Sequence, residues 1–219
     1  MTQNKTKLLN ELFTEWEEHS KSEYKGCFIK DGIIDETLFN QAKLKILFIT
    51  KEANDPKQTS WDFREWWREN IDYAFSYRLA EWSFGLLNDF PYYDKVWEKK
   101  GTAHEALKKV AFMNVKKSGG SGKSNCKTIL NHIKNNFDFI HREIEIIEPD
   151  VIITGLSWQG LRDELFPNLE WVKSGYSVDI ARFKQSKVID FYHPSSRNAP
   201  AAAYSLLGNI INTEIFKSL

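Results

Sequence analysis

Apolar and polar positions follow two rhythms along this chain, and the change from one to the other marks its elements. Leu8, Leu9, Leu12, Phe13 and Trp16 recur at helical spacing among charged residues, which predicts an amphipathic opening helix. Residues 45–50, Lys-Ile-Leu-Phe-Ile-Thr, are a short apolar run rich in β-branched side chains, the pattern of a strand buried on both faces. Runs of the same kind stand at 110–115, 151–155 and 188–192. Between them the spacing returns to the helical period. Residues 61–89 read as one long helical stretch with Ser60 as N-cap. Residues 102–109 read as a short helix with Thr102 and Glu105 as a capping box. Residues 125–147 carry Ile129, Ile133, Phe137, Ile140 and Ile144 on one stripe, and helices are also expected at 156–165 and 201–216, the last with Pro200 in its first turn. Residues 24–40 look irregular, broken by Gly26 and Gly32.

Strands alternating with helices predict an α/β fold: three layers, α/β/α, around a central four-stranded parallel sheet with right-handed crossovers. No repeat or long linker divides the chain, so residues 1–219 are expected to form one domain, with a helical, tryptophan-rich insertion at about 55–110. Thirty basic and thirty acidic residues cancel, which gives no global field toward nucleic acid or membrane. Phe, Trp and Tyr make up 14%, enough to fill the core and still offer surfaces for flat ligands. Two cysteines without CxxC spacing argue for a reducing compartment and against structural zinc, and no apolar run suits a signal peptide or membrane span. The expectation is a cytoplasmic protein.

Ligands of open α/β sheets bind beyond the carboxyl ends of strands, so the strand ends carry the candidate chemistry. The first run ends in Lys51-Glu52-Ala53-Asn54-Asp55-Pro56, with a proline that cannot continue a sheet. Glu52, Asn54 and Asp55 are candidate catalytic residues there; an ordinary surface turn is the alternative. The second run ends at Asn114 and leads into Lys116-Lys117-Ser118-Gly119-Gly120-Ser121-Gly122-Lys123-Ser124. Gly122-Lys123-Ser124 matches the close of a phosphate-binding P-loop, but the earlier glycine of that motif falls on Lys117, so no triphosphate site is expected. The loop can still lie along backbone phosphates through Lys116, Lys117 and Lys123, or be a plain solvated loop. The last run ends in His193-Pro194-Ser195-Ser196-Arg197. A histidine there can donate a hydrogen bond to an anion forming on a substrate, with Ser195, Ser196 and Arg197 as phosphate ligands; a structural histidine is the alternative.

In order, these segments resemble the uracil-DNA glycosylase superfamily, particularly its compact bacterial and archaeal branches, over about residues 44–200. Thr50-Lys51-Glu52-Ala53-Asn54-Asp55 takes the place of a strand-and-loop motif of the kind Gly-Glu-Ala-Pro-Gly, with Glu52-Ala53 the matching pair. Met113-Asn114-Val115-Lys116-Lys117 resembles a Thr-Asn-Val-Val-Lys segment. Ile147-Glu148-Pro149-Asp150, running into residues 151–155, resembles the helix-Pro-strand-Gly segment, and Tyr192-His193-Pro194-Ser195 resembles the closing His-Pro-Ser. The resemblance implies that Glu52 positions or activates water and that Asn114 reads the edge of a flipped base. It further implies that His193 stabilises charge on the departing base, that Ser195 grips the backbone, and that Trp61 or Phe63 stacks on the base.

The chain also departs from the superfamily. Ala53 stands where the best-known branch has aspartate, and Lys51 and Asn54 replace the glycine and proline, so Asn54 or Asp55 can share in orienting water. Ser118 stands where the iron–sulfur branch has a cysteine, and two cysteines cannot supply four ligands, so no cluster, metal or other cofactor is expected. The implied activity is hydrolysis of the N-glycosidic bond of a flipped uracil or, given the altered first motif and long insertion, of a modified base such as a modified cytosine in phage DNA. DNA is the implied partner. Two other classes fit the residues: a DNA-binding or defence module of the same fold without catalysis, supported by Ala53, and a small-molecule enzyme such as a nucleoside hydrolase.

Overall fold

A computed structural model describes residues 4–219. Its main sheet has seven strands: β1 Gly32–Ile33, β2 Ile46–Thr50, β3 Ala111–Asn114, β4 Val151–Thr154, β5 Val172–Lys173, β6 Asp179–Phe183 and β7 Ser186–Asp190. Their order across the sheet is β1-β3-β2-β4-β7-β6-β5. The contacts β3/β2, β2/β4 and β4/β7 are parallel, whereas β1, β6 and β5 pair antiparallel at the two margins. The fold is α/β, but the sheet is larger than four strands and mixed. Sequence pattern missed β1 and β5 because two-residue strands carry no periodic signal. It missed β6 because that strand is half-buried and continues into β7 through a hairpin at Lys184, whose φ is +53°.

Alternation along the strands sorts their side chains into two cores. Ile46, Phe48, Phe112, Val151, Ile153, Ile189 and Phe191 face one side; Leu47, Ile49, Ala111, Met113, Ile152 and Val188 face the other. Helices Phe63–Glu69, Tyr73–Leu87, Thr102–Leu107 and Pro200–Ile211 cover the first face through Phe63, Trp67, Trp82, Leu107 and Leu207. Helices Lys5–His19, Cys126–Asn135, Phe137–Ile147 and Gln159–Leu165 cover the second. Residues 55–110 are therefore not an appendage: their apolar faces belong to the same core as β2 and β3. No helix among the described residues is long and apolar enough to cross a membrane.

Several helices break where the spacing predicts continuity, and polar side chains cause the breaks. The stretch at 61–89 is two helices separated at 70–72. Its N-cap is Asp62, which accepts from Arg64 N at 2.8 Å, while Ser60 instead donates to Phe28 O because Trp61–Asp62 pairs with Ile29–Lys30. Gly101, at φ +87°, caps Thr102–Leu107, so the expected capping box does not form. Asn136 divides 125–147; it is buried and accepts the Trp16 indole N–H at 2.7 Å. The helix expected at 156–165 starts only at Gln159, and the last one is interrupted at Asn212-Thr213, with Thr213 capping Glu214–Ser218.

One charged cluster lies wholly inside. Lys117, Asp31 and Glu143 have side chains 0%, 1% and 0% exposed; Lys117 Nζ meets Asp31 Oδ1 and lies 2.7 Å from Glu143 Oε2. The ammonium also sits 5.3 Å from the ring centroids of both Phe13 and Trp16. Burial pushes the Glu143 carboxyl well above the usual carboxylate range, against the pull of Lys117. Lys117 thus lies between two carboxyl groups, of which Glu143 is the one that burial drives toward its protonated form. Removing the cation should cost far more than removing Glu143's capacity to ionise. Lys117→Met should destabilise by about 3–5 kcal/mol, as for a buried pair that loses one partner. Glu143→Gln should stay within about 1 kcal/mol of wild type. Urea unfolding of the two variants checks this; equal losses would mean that Glu143 is charged.

Candidate active site

The strand alternation does not stop where the strands do. Val115 N and Lys116 N continue the ladder to Thr50 O and Lys51 O, each at 3.0 Å. Side chains of the segment after β3 therefore keep alternating. Phe112, Asn114 and Lys116 project to the first face, and Met113, Val115 and Lys117 to the second. The same parity carries Ile46 and Phe48 on to Thr50 and Glu52, and Ile189 and Phe191 on to His193. The cross-strand pair Phe48 and Phe112 is followed by Thr50 and Asn114, and then by Glu52 and Lys116. The site is the polar continuation of one core face.

Its contacts are tight. Thr50 Oγ1 donates to Asn114 Oδ1 at 2.6 Å, and Asn114 N donates to Asp31 Oδ2 at 2.8 Å. Asn114 is buried, but its Nδ2 makes no hydrogen bond among the described residues, so the amide keeps a donor to offer. Lys116 Nζ donates to Glu52 Oε2 at 2.6 Å and to Gly119 O at 2.6 Å. Glu52 Oε1 has no such partner among the described residues. Gly119–Gly120 pairs with Ala53–Asn54, and a Cβ at Gly120 would overlap the Glu52 carboxylate. The glycine-rich loop is thus packed on the first motif rather than left free.

His193 closes the site from the other side. At Gly155 a Cβ would lie 3.2 Å from His193 Cα and 3.4 Å from Thr50 Cγ2, so the ends of β2, β4 and β7 converge on that residue. Ser195 N donates to His193 Nδ1 at 3.1 Å, which makes Nδ1 the acceptor and leaves the proton of the neutral ring on Nε2. Burial, assisted by nearby Lys51, pushes the imidazole down to about 4. The ring packs on Phe75 at 5.7 Å, and Phe75 in turn on Phe112 at 5.7 Å.

Not every residue singled out from the sequence takes the part expected of it. Lys117 points into the opposite core and cannot reach a phosphate, and Lys116 is buried on Glu52 rather than open to a backbone. Phe63 is enclosed by Trp61, Trp67 and Phe112 at 4.4–4.8 Å and has no face for a base. Asp55 closes its own loop through Lys57 N, Thr59 N and Thr59 Oγ1. Although desolvation acts the other way, those bonds hold its carboxyl below the usual range. Trp61, half-buried, and Asn54, exposed, border the site. Ser195, Arg197 and Lys123 are exposed, and Ser196 N is bonded to His193 O at 2.8 Å. Two contributors went unread: Asp31, in a segment without periodicity, and Phe75, one aromatic among many in a helical stretch.

Comparison of the chain with protein-family models, with curated proteins and with solved structures returns no significant match.

Chemically, the site offers a nearly buried carboxylate with one oxygen bonded and the other without a hydrogen-bond partner among the described residues, an amide donor, and a neutral imidazole N–H beside an aromatic ring. The depressed value of His193 has a testable sign. In the unfolded chain the ring protonates near 6.5, in the folded chain near 4. Its contribution to stability should be complete above pH 6.5 and be lost as pH falls from there through 4. Proton–nitrogen NMR titration should find His193 still neutral, with its proton on Nε2, at pH 5.5; a midpoint near 6.5 would contradict it.

Proposed function

We propose that this protein is a monofunctional DNA base glycosylase of the uracil-DNA glycosylase type, acting on uracil or on a modified base. The observation that carries the reading is the convergence of Glu52, Asn114 and neutral His193 at the carboxyl edge of one face. The four parallel strands at the centre of the sheet, each ending in one of the segments that resemble the superfamily, support it further.

Hydrolysis of an N-glycosidic bond passes through a cation-like sugar and an anionic leaving base. Extruding the nucleotide costs a few kcal/mol, offset by stacking and by hydrogen bonds to the base edge. Asn114 Nδ2 supplies one such bond. Glu52, oriented through Oε2 by Lys116, presents Oε1 to a water and places negative charge near the developing cation. The C–N bond breaks with its electron pair going to the base, the water adds its oxygen to C1′ and passes a proton to Glu52 Oε1, and the Nε2–H of His193 hydrogen-bonds the oxygen of the base anion until that proton is returned to it. A neutral imidazole suits this task, because it stabilises the anion without first binding an anionic phosphate in its place.

A second reading, a DNA-binding module of the same fold without catalysis, is favoured by Ala53 and by the cover over Glu52, whose side chain is 6% exposed. The two separate on one assay. Duplex and single-stranded DNA containing uracil, hydroxymethylcytosine or glucosylated cytosine is incubated with the protein, and abasic sites are read by alkaline strand cleavage. Cleavage of one substrate is expected. Glu52→Gln and His193→Ala should each lower turnover about 100-fold or more while leaving DNA affinity within a few-fold. Binding without abasic product on every substrate would favour the inactive module, and equal loss of affinity and turnover would overturn both role assignments.

A further inference from the structure

Exposed aromatic side chains gather where the parallel strands end. Trp158, 43% exposed, comes just after β4, and Tyr192, 40% exposed, just after β7 beside His193. Tyr73, 74% exposed, stands just before Phe75, the ring that meets His193. Tyr176, 45% exposed, lies in the loop before β6, whose Asp179 pairs with Asp190 at the end of β7. Isolated exposed rings are ordinary, but several of them at one edge of a sheet mark a candidate binding surface.

These rings are supported from behind. Trp158 lies over Gly160, where a Cβ would come within 3.0 Å of its Cζ2, and it follows Ser157, whose φ is +61°. The helix Gln159–Leu165 beneath it is fixed by buried Arg162, which donates to Asp179 at 2.8 Å and to Asp190 at 3.0 Å. Tyr192 backs onto buried Phe191 at 4.9 Å. Tyr73, at φ +63°, meets Trp66 edge-on at 6.0 Å, and Trp66 meets Trp61 at 5.7 Å. Such rings lose little freedom when something flat stacks on them.

Charge narrows what that something is. Lys51, Lys57, Lys123 and Arg197 follow the same strand ends and form no salt bridge among the described residues, and Asp72 beside Tyr73 likewise forms none, so the rim carries sparse, partly offset positive charge. A duplex presents closely spaced phosphates and bases already stacked on one another, and its recognition calls for dense positive charge. A single strand presents free base faces and fewer phosphates per unit length, which matches π-faces interleaved with sparse cations.

We infer that this rim binds single-stranded DNA, with bases flanking the target stacked on Trp158, Tyr192 and Tyr73. The inference rests on the glycosylase reading for where the target base goes, but its test needs no catalysis. Fluorescence anisotropy would compare a labelled oligothymidylate of about 15 nucleotides with a duplex of equal length at fixed salt. Wild type should prefer the single strand. Trp158→Ala and Tyr192→Ala should each weaken single-strand binding about 5- to 150-fold, with Trp158→Phe recovering part of the loss. Duplex binding should change less than about twofold, since the duplex leaves these rings unused. Thermal melts should show each Ala variant still folding cooperatively, with at most a modest loss from the half-covered ring, and Trp158→Phe closer to wild type.

A preference for duplex, no binding to either DNA, or ring substitutions that leave single-strand binding unchanged would overturn the inference. So would concentration-dependent self-association abolished by the same substitutions, which would assign the rings to a second copy of the chain. The two readings fail separately. Ring-dependent single-strand binding without abasic product removes only the glycosylase assignment, and abasic product with ring-independent binding removes only the rim.

Discussion

The fold turns on Lys117, a lysine with no access to water. Its ammonium holds Asp31 and Glu143 together and faces two aromatic rings, joining the segment after β3 to the N-terminal region and to helix Phe137–Ile147. Burying the Lys117 ammonium is expensive, and its contacts with the two carboxyl groups offset that cost, so the lysine is the member whose loss matters most. What the cluster secures is position. Asp31 accepts Lys117 on one oxygen and the Asn114 backbone N–H on the other, so the interior charge fixes the place from which the Asn114 amide projects.

That arrangement follows from a simple rule, alternation that continues past the last strand residue. With Lys117 turned inward, its neighbour Lys116 must turn to the opposite face, where Glu52 stands. Gly120 then makes room for the carboxylate by having no side chain. Adjacent lysines that look like one basic patch in the sequence therefore serve two cores. In composition they are alike; parity decides that one is buried structure and the other orients a candidate catalytic group.

The same rule explains what could be read from sequence and what could not. The central strands were legible because each is buried on both faces and so forms an unbroken apolar run. Their polar ends were legible because a strand that stops at Thr50, Asn114 or Asp190 must spill its next side chains at the sheet edge. The margins β1, β5 and β6 were not, since short or half-exposed strands leave too little pattern. Asp31 was illegible for a different reason: its partners lie 83 or more positions away, and no local signal reports a long-range contact. Phe63 and Phe75 show the limit for aromatics. Both follow the first motif in a ring-rich stretch, and only packing tells that Phe63 is enclosed while Phe75 reaches His193.

Burial links the two halves of the site to one kind of chemistry. A histidine in water at neutral pH is partly cationic and would attract phosphate to itself. At His193, burial and Lys51 remove that charge, and Ser195 N–H decides which nitrogen keeps the proton. On the neighbouring strand end, Glu52 is tied to Lys116, and its second oxygen has no hydrogen-bond partner among the described residues. The site therefore presents a few polar groups in fixed directions, with cations and aromatic rings following the same strand ends. On the proposed glycosylase reading, a surface built this way would gain little from the phosphates of a target nucleotide and much from its base. On that reading, discrimination would fall on the shape and hydrogen-bonding edge of the base rather than on the charge of the backbone.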